Sequence, residues 1–246
     1  MNTSKWYKIF GLLLVVISAT IYFIHYLIFD DTHHIFIYLL GDIAFVPIEV
    51  LMVTLILHQL LTYMERRNKL EKLNMVIGVF FSEIGTKLLC FLSDFDPNLD
   101  AVRHELVVTN DWIDEDFLDT KKRLKNYNYS VNIQDIDIEK LRTLLGEKRN
   151  LLIQLLENPT LLEHESFTEL LRSVFHLLEE LVARGDLSNL PDTDLDHLSG
   201  DIERVYGLLV GQWLNYMHHL KNNYPYLFSL SMRTNPFDTS ASPVVK

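Results

Sequence analysis

The chain has 246 residues, 48% of them hydrophobic, and a formal net charge of −11. Only Lys5, Lys8, Asp30, Asp31, Asp42 and Glu49 are charged before residue 64, so residues 64–246 hold 20 basic and 29 acidic side chains, net −9. That balance excludes nucleic-acid binding through phosphate neutralisation, which needs clustered positive charge. A single cysteine, Cys90, excludes internal disulfides and Cys-based zinc sites, as suits a reducing cytosol.

Two apolar blocks open the chain, Ile9–Phe29 and Ile35–Tyr63. A hydrocarbon core of ~30 Å needs about 20 apolar residues in helix, so each block predicts a membrane span. The first is too long for a signal-peptide core and no A-x-A-like site follows it, which favours an uncleaved anchor. Lys5 and Lys8 precede the first span, and Arg66, Arg67, Lys69 and Lys72 follow the second. The five-residue connection Asp30-Asp31-Thr32-His33-His34 has neither Lys nor Arg. Positive charges mark the cytoplasmic side, so both termini are expected there, in a multi-pass protein of the plasma (inner) membrane. The basic cluster then sits where anionic headgroups would meet it.

Within the second span lie Asp42, Pro47 and Glu49. Seven residues is close to two helical turns, so both acids project from nearly one face. An ionisable group at membrane depth costs ~2.5–3.5 kcal/mol or more on insertion scales, and marks a functional site by default. Antiparallel register against the first span brings Asp42 level with Tyr22, whose hydroxyl can donate to it. Glu49 comes level with Leu14 and Val15, which offer nothing. An unpartnered carboxylate must be protonated, face water or meet another subunit. Pro47 is expected to kink the helix and free a carbonyl.

Helical signals dominate the rest of the chain. The second span continues without a breaker through Arg66–Lys72 into residues 73–92, where Leu70, Leu73, Ile77, Phe80, Ile84, Leu88 and Phe91 recur at three- to four-residue spacing. Glu83 and Lys87 form an i,i+4 pair in this segment, which reads as the central helix of a cytosolic bundle or, alternatively, as a third membrane segment. After the Asp96-Pro97-Asn98 break, helices are predicted over Leu99–Val108, Asp111–Lys125, Ile138–Glu157, Ser166–Arg184, Leu195–Leu220 and Tyr224–Met232. Residues 126–132 read as a loop, and Gly185 supplies a helix stop. The tail, residues 234–246, is expected to be disordered. The chain therefore divides into a membrane hairpin (1–64), a cytosolic helical domain (65–233) and a tail, all-α throughout.

Four segments, LGDIAFVPIEVLMVTL (40–55), LEKLNMVIGVFFSEIGTKLL (70–89), ENPTLLEHESFTELL (157–171) and YPYLFSLSMRTNPFD (224–238), resemble an uncharacterised group of prokaryotic two-span membrane proteins. The resemblance implies a membrane hairpin with a cytosolic helical domain. It carries no established activity and no site.

Further candidates have bland readings beside them. Asp30, Asp31, His33 and His34 concentrate potential metal or proton ligands in the outward turn, but a solvated polar turn is the preferred reading. Asp192, Asp194, Asp196 and Glu203 fit an EF-hand frame except that His197 stands where Gly is required, so an acidic first helical turn is preferred. Glu165, Glu169, Arg172, His176 and Glu180 share one helix face, without the Glu-x-x-His pairs of di-iron bundles, and read as a solvated or partner face. No glycine-rich phosphate loop, HExxH or nucleophile elbow occurs, so no enzyme, cofactor or metal is expected. A potassium pore loop does not fit in residues 30–34.

Two functions follow. The first is a homo-oligomeric membrane assembly with a cation or proton path lined by the second span. The alternative is a membrane-tethered scaffold or sensor whose helical domain binds a cytosolic protein partner.

Overall fold

The computed structural model describes residues 3–162 and 164–245, and every regular element among them is helical. Helix α1 spans Thr3–Phe29 and α2 spans Thr32–Phe80. Both contain stretches long and apolar enough to cross a bilayer by length and composition. The connection is shorter than the five residues expected. Asp30 takes a left-handed conformation at φ 45° and Asp31 caps α2, its Oδ1 accepting the His34 amide at 3.1 Å. That cap draws Thr32, His33 and His34 into the first turn, leaving two residues between the helices.

Helix α2 continues through Pro47. Proline has no N–H to give, so the Ile43 carbonyl loses its ordinary partner four residues on. The helix also continues through Arg66, Arg67, Lys69 and Lys72, all of them exposed. The chain separates into two units, Met1–Arg66 and Arg67–Lys246, the boundary falling inside α2.

The second unit has its own core, and residues 73–92 run through it. Leu73, Ile77, Phe80, Phe81, Ile84, Leu88, Leu89 and Leu92 are all buried, the placement expected of a central bundle helix. Leu70 is exposed and Phe91 half-buried, so the ends of the expected stripe leave the core. After Phe80 the helix widens into a π turn, Phe81–Gly85, before α3 (Thr86–Ser93). One extra residue in the turn lets two adjacent rings, Phe80 and Phe81, both face inward. Glycine makes this fit: a Cβ on Gly85 would lie 2.7 Å from both rings.

Shorter helices complete the unit: α4 (Leu99–Val102) leading into a 3-10 turn at Arg103–Glu105, α5 (Asp114–Leu124), α6 (Ile138–Gly146), α7 (Arg149–Leu156) and the single turn α8 (Pro159–Leu162). The helix expected over residues 138–157 is thus two helices. The interruption at Glu147 and Lys148 turns Lys148 toward Glu83, whose Oε2 accepts from Nζ at 2.8 Å. Lys148 is therefore the hydrogen-bonded ion-pair partner of Glu83, with Lys87 a weaker electrostatic neighbour. This hydrogen bond holds the Glu83 carboxyl below its ordinary pKa.

Helix α9 (Glu165–Ala183) buries Phe167, Leu171, Val174, Leu178 and Leu181 and ends at Gly185, whose φ of +67° favours glycine. Helix α10 (Asp192–Asn223) opens after Pro191 and packs against α9, α5 and α3. Helix α11 (Pro225–Arg233) follows with proline in its first turn. The segment expected to be a disordered tail begins with two core residues, Asn235 at 1% and Phe237 at 0% exposure. Asn235 Nδ2 donates to the Leu106 carbonyl at 2.9 Å, and the Phe237 ring meets Trp213 edge-on at 5.2 Å. One aromatic and one amide with buried partners suffice to pin a segment whose composition is otherwise that of a loop.

Candidate functional site

In the first unit, α1 and α2 bring together residues that sequence register only partly anticipates. Tyr22 Oη donates to Asp42 Oδ2 at 3.4 Å, a long hydrogen bond, as antiparallel register implies. The two residues belong to a cavity of about 320 Å³ lined also by His25, His34, Ile35 and Tyr38. The His25 and His34 rings lie parallel with centroids 6.3 Å apart, and His34 contacts Tyr38 at 4.6 Å. His25 Nδ1 is buried without a hydrogen-bond partner. His34 thus leaves the outward group of candidates and joins Asp42, while Asp31 is occupied as a cap. His25 was missed in the sequence, although a histidine within an apolar span was a signal. Glu49 is exposed and makes no hydrogen bond or ion pair among the described residues.

Large apolar side chains on both helices stay open, including Leu12, Val15, Leu40 and Leu51 at 59% exposure or more. They continue as far as Tyr63 and Met64. Soluble monomers rarely expose contiguous apolar patches beyond a few hundred Å².

In the second unit, α9 and α10 bring together two helical pairs. His176 and Glu180 are four residues apart on α9, as are His197 and Asp201 on α10. Asp201 Oδ2 lies 3.5 Å from Nε2 of both His176 and His197. Glu180 lies 3.8 Å from His176 through Oε1 and 3.7 Å from His197 through Oε2. Two arginines hold the carboxylates from behind. Arg204 donates to Asp201 Oδ1 at 3.0 Å. Arg184 donates to Glu180 Oε2 at 2.7 Å and to both oxygens of Asp194 at 2.7 Å. Those hydrogen bonds hold the Glu180 and Asp194 carboxyls below the usual range. The face expected to be solvated is therefore partly an interhelical cluster. Glu165, Glu169 and Arg172 lie outside it. Asp192 and Asp194 stand in the first turn of α10 and Glu203 within it, so no calcium loop forms.

A third polar centre is structural. Asp96 accepts from Tyr127 Oη at 2.8 Å and from the Asn98 amide at 2.9 Å, and the Tyr127, Tyr129 and Tyr206 rings follow one another edge-on. Burial first, then the nearby carboxylate, pushes these phenols well above their ordinary pKa, leaving them neutral. The Tyr127 and Tyr129 rings also line an apolar cavity of about 330 Å³.

An apolar two-helix unit followed by an all-helical unit with its own core defines a two-part, all-α protein. Its residues 2–61 match the family model described as MJ1433, N-terminal helical domain, and residues 69–233 match that of Uncharacterized protein MJ1433, C-terminal helical domain. The chain belongs to this family. It is 50% identical over 241 residues to Uncharacterized protein MJ1433 of Methanocaldococcus jannaschii, covering 98% of this chain and 97% of that one. No solved structure matches.

Proposed function

We propose that this protein is a two-span integral membrane protein of the plasma membrane, with both termini cytoplasmic, that self-associates through its second span around a cation or proton path. The observation that carries the reading is the cavity between α1 and α2, where Tyr22, His25 and His34 surround Asp42. Histidine and carboxylate together can pass a proton or replace part of a cation's hydration. Glu49, about 10 Å further along α2, extends the acidic line. Rings of such acids, one per subunit, are how cation paths are built.

The open apolar surface of both helices supports a lipid or subunit environment over water. The exposed Arg66, Arg67, Lys69 and Lys72 suit anionic headgroups at the cytoplasmic boundary. Asp42→Asn with Glu49→Gln tests the reading in liposomes: flux is lost while the oligomer's mass is kept. Unchanged flux from an intact assembly contradicts it and leaves the tethered-scaffold role.

A further inference from the structure

We propose that His176, Glu180, His197 and Asp201 form a binding site for one first-row divalent transition-metal ion, of the zinc type, joining α9 to α10. The site is independent of the membrane reading.

The decisive feature is Asp201. Its side chain is 4% exposed, and Oδ2 is buried with no hydrogen-bond partner. A buried carboxylate oxygen left unsatisfied is costly. The groups facing it are two imidazole nitrogens, both at 3.5 Å. Charge-assisted hydrogen bonds run about 2.7–2.9 Å, so neither imidazole meets the oxygen as a donor. The spacing fits a shared ion instead. Ligand atoms at ~2.0–2.2 Å from a tetrahedral metal lie about 3.3–3.6 Å from one another. Glu180, His197 and Asp201 each offer a ligand atom within 4.8 Å of the other two, and His176 Nε2 stands beside them, 3.5 Å from Asp201 Oδ2 and 3.8 Å from Glu180 Oε1. Small side-chain adjustments bring these atoms to ligand spacing.

The helix geometry favours this assembly. A histidine and an acid four residues apart project from one face of a helix, and two such pairs oppose each other across the α9–α10 contact. Every histidine contributes Nε2. The guanidinium groups of Arg184 and Arg204 orient the carboxylates, the supporting role that outer-layer partners play at metal sites. Glu180, Asp194 and Asp201 against the two arginines leave one net negative charge, which a divalent cation offsets. Two imidazoles with two carboxylates suit zinc, iron, cobalt or nickel over calcium or magnesium, which take oxygen ligands.

The test uses the full-length, detergent-solubilised protein, stripped with a chelator and titrated with Zn²⁺ against a chromophoric competitor. Wild type is expected to bind one equivalent that His176→Gln with His197→Gln abolishes. Affinity should fall more than ~100-fold, beyond the 10–100-fold typical of losing a supporting partner. The reference variant, His104→Gln, at an exposed histidine outside the cluster, keeps that equivalent. Zn²⁺ should also raise the unfolding temperature of wild type and of the reference variant, but not of His176→Gln with His197→Gln. Both cluster imidazoles are about half exposed, so that variant should fold. Glu180→Gln provides a second variant, with the same loss expected. Co²⁺ should give a visible ligand-field band that disappears in both. The proposal is overturned if wild type binds no Zn²⁺, or if neither cluster variant lowers stoichiometry or affinity.

Discussion

The Tyr22 hydroxyl reaches the Asp42 carboxylate across the two helices of the first unit, Oη to Oδ2 at 3.4 Å. It is a donor to an acid that otherwise faces a cavity lined by imidazoles. Removing the hydroxyl alone should do little to the fold. Tyr22→Phe is expected to cost no more than about 1 kcal/mol and to leave the detergent-solubilised mass unchanged. Ion flux should fall less than with Asp42→Asn, as measured side by side in liposomes.

Arg184 forks between Glu180 on its own helix and Asp194 on the next, with its side chain 14% exposed. Both carboxyls are held below their usual pKa. A depressed carboxylate stabilises the fold fully above its unfolded pKa of about 3.9–4.3, and the contribution disappears as pH falls through the folded value. Arg184→Ala should therefore melt earlier than wild type at pH 7. The gap should narrow as pH drops below about 4, as unfolding curves across an acid series can measure.

Gly85 and Gly200 are predicted to respond oppositely to alanine. A Cβ at Gly85 meets Phe80 and Phe81 at 2.7 Å, whereas at Gly200 it meets nothing within 4 Å. Gly85→Ala should cost about 1–3 kcal/mol by overpacking the π turn. Gly200→Ala, inside α10, should gain about 0.4–1 kcal/mol. Denaturant midpoints of the two variants give both signs.

The C-terminal segment should count as part of the core. Phe237→Ala is expected to cost about 3–5 kcal/mol, the range for deleting a fully buried ring. Asn235→Ala should cost about 1–3 kcal/mol, since the Leu106 carbonyl then loses its buried donor. Stability within 0.5 kcal/mol or so of wild type in both variants would show the segment to be dispensable.

The long helices could be read from sequence because an apolar run has a length, and length decides whether a bilayer can be crossed. Tyr22 opposite Asp42 followed from counting residues back from the turn. The π turn at Phe81–Gly85 left no compositional mark, since an i→i+5 turn uses the same residues as the helix around it. Phe237 looked like one aromatic in a polar tail until Trp213 supplied its contact. The α9–α10 cluster was hidden for a related reason. His176 with Glu180, and His197 with Asp201, are each an ordinary i,i+4 pair, and only the packing of the two helices brings them together.

Flux through reconstituted oligomers reports on Asp42 and Glu49 together. Liposomes carrying wild type and the Asp42→Asn, Glu49→Gln double variant, matched for oligomer mass and protein content, are assayed for proton and cation flux. Wild type should show flux above protein-free liposomes, and the variant none. Equal flux from both, or none from wild type, would remove the ion path from this protein.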